Sequence, residues 1–275
     1  MRIAVCIKQV ISREWQVRVD PATNWVRDQD ASFELNEPDA YALEEALRLR
    51  EKHGGEVLVI SAGPARVSQV LREALARGAD RAIHVQGDHF ATADALTAAE
   101  ALAASLKDEQ VDLVLTGLQS DDQGFAQVGV VLAEKLAAAH ATIIMEVQVD
   151  PSALREPQGP PEQGRGAAGS GQAGGLRVKR ELEGGWFQWI AMPLPAVLTI
   201  QSGINQLRYA TLKGIMAAKK KEIRAVPAPP RPAPQQRITA IYVPEKAKQT
   251  RMIAGSPAEA AAELVRVLRD EARVF

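Results

Sequence analysis

The feature that most constrains this chain is a repeated alternation of short apolar runs, rich in β-branched residues, with longer stretches of helical spacing. The first run, "RIAVCIK", has no polar face, the pattern of a strand buried on both sides in a parallel sheet. "EPDAYALEEALRLREKHGG" follows, with Ala42, Leu43, Ala46, Leu47 and Leu49 on one stripe, acids early, bases late and Gly54-Gly55 as the stop. The alternation continues through "EVLVISAG", "ARVSQVLREALARGAD", "RAIHVQG", "TADALTAAEALAASLKDE", "VDLVLTGLQ", "AQVGVVLAEKLAA" and "ATIIMEVQV". Strands of this kind need a helical layer on each face, so the sequence predicts βαβ units in a doubly wound, mostly parallel α/β sheet.

The alternation stops at "DPSALREPQGPPEQGRGAAGSGQAGG", which has too few apolar anchors to repay its ordering entropy. "LRVKRELEGGWFQWIAMPLPAVLTI" then reads as a hairpin turned at Gly184-Gly185 and a strand after Pro195. Residues 152–176 are therefore expected to form a loop insertion inside one domain spanning 1–226. A Pro-rich linker, "AVPAPPRPAPQQ", and a helix with Ser256 as N-cap and Pro257 at its first position make 227–275 an extended arm.

Composition narrows the partners. Lys and Arg (33) nearly cancel Asp and Glu (34), so no whole-molecule field favours a nucleic acid or an anionic membrane. No apolar run is long enough for a signal peptide or a transmembrane helix, and Cys6 is the single cysteine; a cytoplasmic protein is expected. Four scattered His and one Cys give no metal-ligand spacing, and no Ser sits in a nucleophile elbow. Cys6 reads as an inert core thiol, and His53 and His84 as structural. A self-sufficient hydrolase is not indicated.

In an open α/β sheet, ligands bind beyond the carboxyl ends of the strands. The segments after the strands hold Lys8 and Gln9, Ser61 to Pro64, and "TGLQSDDQGFAQVG", which combines Gly117, Gly124 and Gly129 with Gln119, Asp121, Asp122 and Gln127. Backbone amides at a helix start plus side-chain hydrogen-bonding groups suit a phosphate and an adenine or ribose edge. On these residues alone a turn with acidic caps explains the loop equally well. A second candidate is "LRYATLKGIMAAKKK", where Leu212, Ile215 and Met216 precede three lysines. It reads either as an amphipathic helix packed on the core or as a contact surface.

Taken in order, "IAVCIKQV", "NEPDAYALEEALRLREK", "VISAGPA", "LREALARGADRAIHV", "TGLQSDDQGFAQVG", "LPAVLTI" and "LRYATLKGIMAAKKK" resemble the beta subunit of electron transfer flavoprotein. The resemblance covers nearly everything from Met1 to Val226 outside the insert. It implies an adenine-nucleotide-binding-like domain paired with an alpha subunit. The heterodimer would hold FAD mainly in the alpha subunit, take electrons from flavin dehydrogenases, and pass them toward a quinone pool or other acceptor. The implied nucleotide slot falls on Cys6, Asn36, Glu37, Pro38, Asp39, Ala62, Gly117, Gln119, Asp122, Gln127 and Val128, and it would take AMP or a second FAD. The implied docking surface is Leu212 as an apolar anchor, with Ile215, Met216, Lys219 and Lys220 around it and Lys221 as a further steering charge. The C-terminal helix would embrace the alpha subunit. The chain departs from the family's pattern in having Asn36-Glu37-Pro38 where "NP" and an aromatic are usual, and Lys213-Gly214 where Pro-Asn is common. Two rivals remain: half of an NADH-dependent electron-bifurcating flavoprotein with FAD in this chain, and a stand-alone nucleotide sensor of the universal-stress type.

Overall fold

The computed structural model describes residues 1–150, 175–230, 233–244 and 250–274, so most of the Gly-rich insert expected at 152–176 lies outside the described residues. The first half of the chain runs β1 (Arg2–Cys6), β2 (Gln9–Ile11), β3 (Val19–Asp20), β4 (Trp25–Val26), β5 (Phe33–Leu35), α1 (Glu37–His53), β6 (Glu56–Gly63), α2 (Ser68–Arg77), β7 (Arg81–Gln86) and α3 (Ala95–Leu106). It continues with β8 (Leu113–Gly117), α4 (Val128–Lys135), β9 (Ala139–Val149), β10 (Leu176–Glu181), β11 (Phe187–Met192), β12 (Ala196–Ile200), α5 (Leu212–Ala218), β13 (Ile223–Pro227) and α6 (Pro257–Arg266).

Nine strands form one sheet in the order β11-β10-β9-β12-β8-β1-β6-β7-β13. From β13 to β9 every neighbouring pair is parallel, and only the β9-β10 and β10-β11 pairs are antiparallel. This is the expected doubly wound α/β architecture. The chain winds from β1 to β6 and β7 on one side, then returns to place β8 on the other. The strand order therefore reverses between β1 and β8, and a crevice opens beyond their carboxyl ends.

Successive side chains of each central strand point to opposite layers. Ile3, Val5, Val57, Val59, Leu113 and Leu115 pack toward α1 and α2, while Ala4, Cys6, Leu58, Ile60 and Val114 pack toward α3 and α4. Each fully buried Leu or Ile contributes about 1.5–3 kcal/mol, which explains why apolar runs with no polar face were needed. The helix after β1 starts where the sequence places it, with Glu37 and Asp39 in its first turn and Arg50, Lys52 and His53 in its last.

Several elements differ from the sequence reading. Expected from Ala126, α4 begins only at Val128, because Ala126 takes a left-handed φ of 54° that no helix interior accommodates. The Pro-rich stretch after Lys221 opens with a strand, β13, at the edge of the sheet, where Pro227 removes no ladder bond from an inner pair. An antiparallel pair, β2 with β5, has segments too short to show a period.

The chain divides into two compact units: Met1–Arg18 with Val26–Thr239, and Val19–Trp25 with Ala240–Phe275. In the second, Ile241 N donates to Asn24 O (3.1 Å) and α6 is capped by a reciprocal Ser256–Glu259 box. No helix among the described residues is long and apolar enough to cross a membrane.

Candidate nucleotide site at the sheet switch point

The crevice is held open by the first turn of α1. Asp39 accepts from Lys8 N through Oδ2 and from Gly117 N through Oδ1, both at 2.8 Å, so one carboxylate joins the end of β1 to the end of β8. Asn36 adds a second clamp: its Nδ2 donates to Gln119 O (3.1 Å) and its Oδ1 accepts from Asp121 N (2.9 Å). Its own N–H donates to Lys8 O (3.0 Å). A Cβ at Gly117 would lie 2.5 Å from Asp39 Oδ1, so glycine is needed for this close approach. Gly129 plays the same part for α4, since a Cβ there would meet Thr199 Cγ2 at 2.5 Å.

The clamp frames a cleft of about 900 Å³, counting the solvent at its mouth. Of the sequence-predicted residues, Cys6, Asn36, Asp39, Ala62, Gly117, Gln119, Gln127 and Val128 line it. Glu37, Pro38 and Asp122 do not. Glu37 pairs with Arg13, Pro38 packs against Gly117, and Asp122 spends its charge on Lys8 Nζ at 2.7 Å. Sequence reasoning did not single out Phe90, Asp94, Ser120, Gln123 and Phe125 as lining residues, while Lys8, noted after the first strand, forms a wall. Phe90 arrives from the β7–α3 connection, and Asp94 from the start of "TADALTAAEALAASLKDE", read in the sequence as a helix. Gln123 and Ser120 were within the flagged loop and were separable from its other residues only by their direction.

The electrostatics favour binding over bond-making. Burial pushes the Asp39 carboxyl up to about 7, against the opposing hydrogen bonds from Lys8 N and Gly117 N. Burial, with the nearby Asp39 charge, also raises the Cys6 thiol, leaving it neutral and unreactive. Asp122 is partly buried, but the Lys8 ammonium outweighs that and holds its carboxyl below the usual range. The lining thus offers amide side chains at Gln119, Gln123 and Gln127, two aromatic rings, and the opening of α4, whose first N–H groups have no intrahelical partner. These groups suit a heteroaromatic edge and an anion. His84, buried in β7, has Nε2 3.0 Å from Gly63 O and is structural.

The profile of the family described as "Electron transfer flavoprotein domain" matches residues 23–231. The chain belongs to the electron transfer flavoprotein family. It is 35 % identical to the electron transfer flavoprotein subunit beta of Methylophilus methylotrophus, over 98 % of both chains. It is 34 % identical to the human subunit beta, over 82 % of this chain and 81 % of the human one. It is also 34 % identical to the protein FixA of Azotobacter vinelandii, over 82 % of this chain and 74 % of that one.

This electron transfer flavoprotein chain carries a second built surface at α5. Leu212, Met216 and Ile215 are 78 %, 56 % and 44 % exposed, so none is a core residue and the packed-helix alternative fails. The reason lies on the opposite face. Gly214 lies against Ala76 O of α2, Ala218 is buried, and Arg72 Nη1 donates to Ala218 O and Lys221 O, each at 2.6 Å. Lys221 Nζ donates to Ala79 O (2.5 Å), so Lys221 is a fastening and not a free steering charge; Lys219 and Lys220 are exposed. Thr211 caps the helix by accepting from Gly214 N (3.0 Å).

Proposed function

We propose that this chain is the beta half of an electron transfer flavoprotein heterodimer that takes electrons from flavin dehydrogenases and passes them toward a quinone pool or other acceptor. The observation that carries the reading is an exposed leucine, Leu212, on a helix whose other face is fastened to the domain. A monomeric nucleotide sensor has no use for a rigidly mounted apolar knob; a carrier that must find and leave its donors does. Ile215 and Met216 widen the apolar contact, and Lys219 and Lys220 steer an acidic partner.

In this reading the crevice holds AMP or FAD. Gln119 and Gln127 would bind its polar edges, the first amides of α4 its phosphate, and Phe90 and Phe125 would cover its ring system. FAD held mainly by the alpha subunit would supply the redox chemistry; this chain excludes water, orients the nucleotide and presents the docking surface. The helix from Pro257 would contact the alpha subunit through Leu264 and Val265, which are exposed here.

Leu212→Ala in the heterodimer tests the reading. Reduction by a flavin dehydrogenase that reduces the wild type should slow by about tenfold, chiefly through KM, with flavin content and dithionite reduction unchanged. An equal rate, or a matching loss of thermal stability, would remove Leu212 from the docking surface.

A further inference from the structure

The connection between β7 and α3 brings to the cleft a carboxylate that neither the clamp nor the docking surface explains. Asp94 is 7 % exposed, lines the cleft beside Phe90 and Ala98, and caps α3. An acid in such a crevice invites assignment as the acceptor for a ribose hydroxyl. Its partners exclude that role. Oδ1 accepts from Thr97 N (2.9 Å) and Thr97 Oγ1 (2.5 Å), and Oδ2 accepts from Gln235 N (2.7 Å) and Gln236 N (3.2 Å). Four donors on two oxygens use up the acceptor sites of a carboxylate.

The last two donors lie more than a hundred residues away in sequence, past the edge strand β13. Ala228 N still donates to Gln86 O (3.0 Å) at the end of β7, and Gln235 N and Gln236 N donate to Asp94. Gln235 and Gln236 therefore lie at the start of α3, on the side where the crevice opens. The burial of Asp94 opposes its charge, but the bonds from Thr97, Gln235 and Gln236 prevail and hold the carboxyl at about 2, so the fastening is charge-assisted at any working pH.

We propose that Asp94 is a latch: it fastens residues 233–236 at the rim of the cleft and sets how fast the bound nucleotide leaves. It is a positioning residue, and the proposal rests on the nucleotide reading of the cleft. Exchange requires the Oδ2 bonds to open, while the Oδ1 bonds belong to the helix cap.

The two functions separate by mutation in the complete heterodimer. Asp94→Asn leaves an amide oxygen for Thr97 N but turns an NH2 group toward the N–H groups of Gln235 and Gln236. Gln235→Pro removes one donor from an exposed segment already rich in proline, so it leaves the core intact. Thr97→Val removes a bond to the cap alone. The readout is loss of prebound AMP, or of FAD if that is the resident nucleotide, followed by chase with an excess of labelled AMP or FAD. Asp94→Asn and Gln235→Pro should each release it about tenfold faster, and Thr97→Val at the wild-type rate. Wild-type release from Gln235→Pro overturns the latch, as does equal acceleration by Thr97→Val, which would assign the effect to the α3 cap. A wild-type heterodimer that holds neither AMP nor FAD in this chain defeats the nucleotide reading and the latch with it.

Discussion

At the scale of single residues, Asp39 touches both walls of the crevice, and its ionisation should be visible in stability. Burial raises its folded pKa to about 7, above the value of an exposed aspartate. A raised folded pKa contributes stability that is fully present below about pH 4 and is lost as pH rises through about 7. Denaturant midpoints of the wild type and Asp39→Asn, compared from pH 5 to pH 8, should therefore shift against the wild type as pH rises. A constant gap would show that Asp39 does not titrate there. Arg208 offers a second test, because its guanidinium meets the buried Glu44 through Nε (2.7 Å) and Nη2 (3.1 Å) and also pairs with Glu51. Arg208→Met leaves Glu44 with Arg48 as its only ion-pair partner among the described residues and should lower unfolding stability by about 3 kcal/mol in chemical denaturation. The membership of Asn36 and Asp39 in the site was legible from the family resemblance. Their work as clamps was not, because Asp39 reaches partners 31 and 78 residues away that only the folded sheet brings beside it.

At the scale of elements, α5 has seven residues and would not persist alone. Its order comes from α2, through Arg72 and the close approach at Gly214. Arg72→Met should raise amide exchange across residues 212–221 and raise KM for the donor dehydrogenase while leaving flavin content unchanged; unchanged exchange would show that Arg72 is not the fastening. The same element shows the limit of pattern reading. Three apolar residues at Leu212, Ile215 and Met216 have the spacing of a core stripe, and only the packing of Gly214 and Ala218 turns that stripe outward. The inner strands and α1 were legible because burial on both faces leaves an unbroken apolar run. The edge strand β13 was hidden by Pro227 and the prolines that follow it, and the late start of α4 by a backbone conformation at Ala126 that alanine does not advertise.

At the scale of the whole molecule, a parallel sheet marks where a ligand can sit before any side chain is considered, since the chain winds outward from β1 through β6 and β7 on one side and resumes with β8 on the other. The lining there has amides, aromatic rings and a helix start, with its one thiol and its clamp carboxylate both buried. Such a lining supports the proposed role of the crevice as a nucleotide-holding site. In the proposed reading, the exposed face of α5 and the segment after Thr239 would be the surfaces by which this chain joins its partners. The measurement that tests this account most directly is to co-express the chain with an alpha-type subunit, purify the complex, denature it and count the released nucleotides. The account predicts a heterodimer carrying one FAD with the alpha subunit and one further nucleotide, AMP or FAD, from this chain. A stable flavin-free monomer or homodimer that ignores the alpha subunit would contradict it.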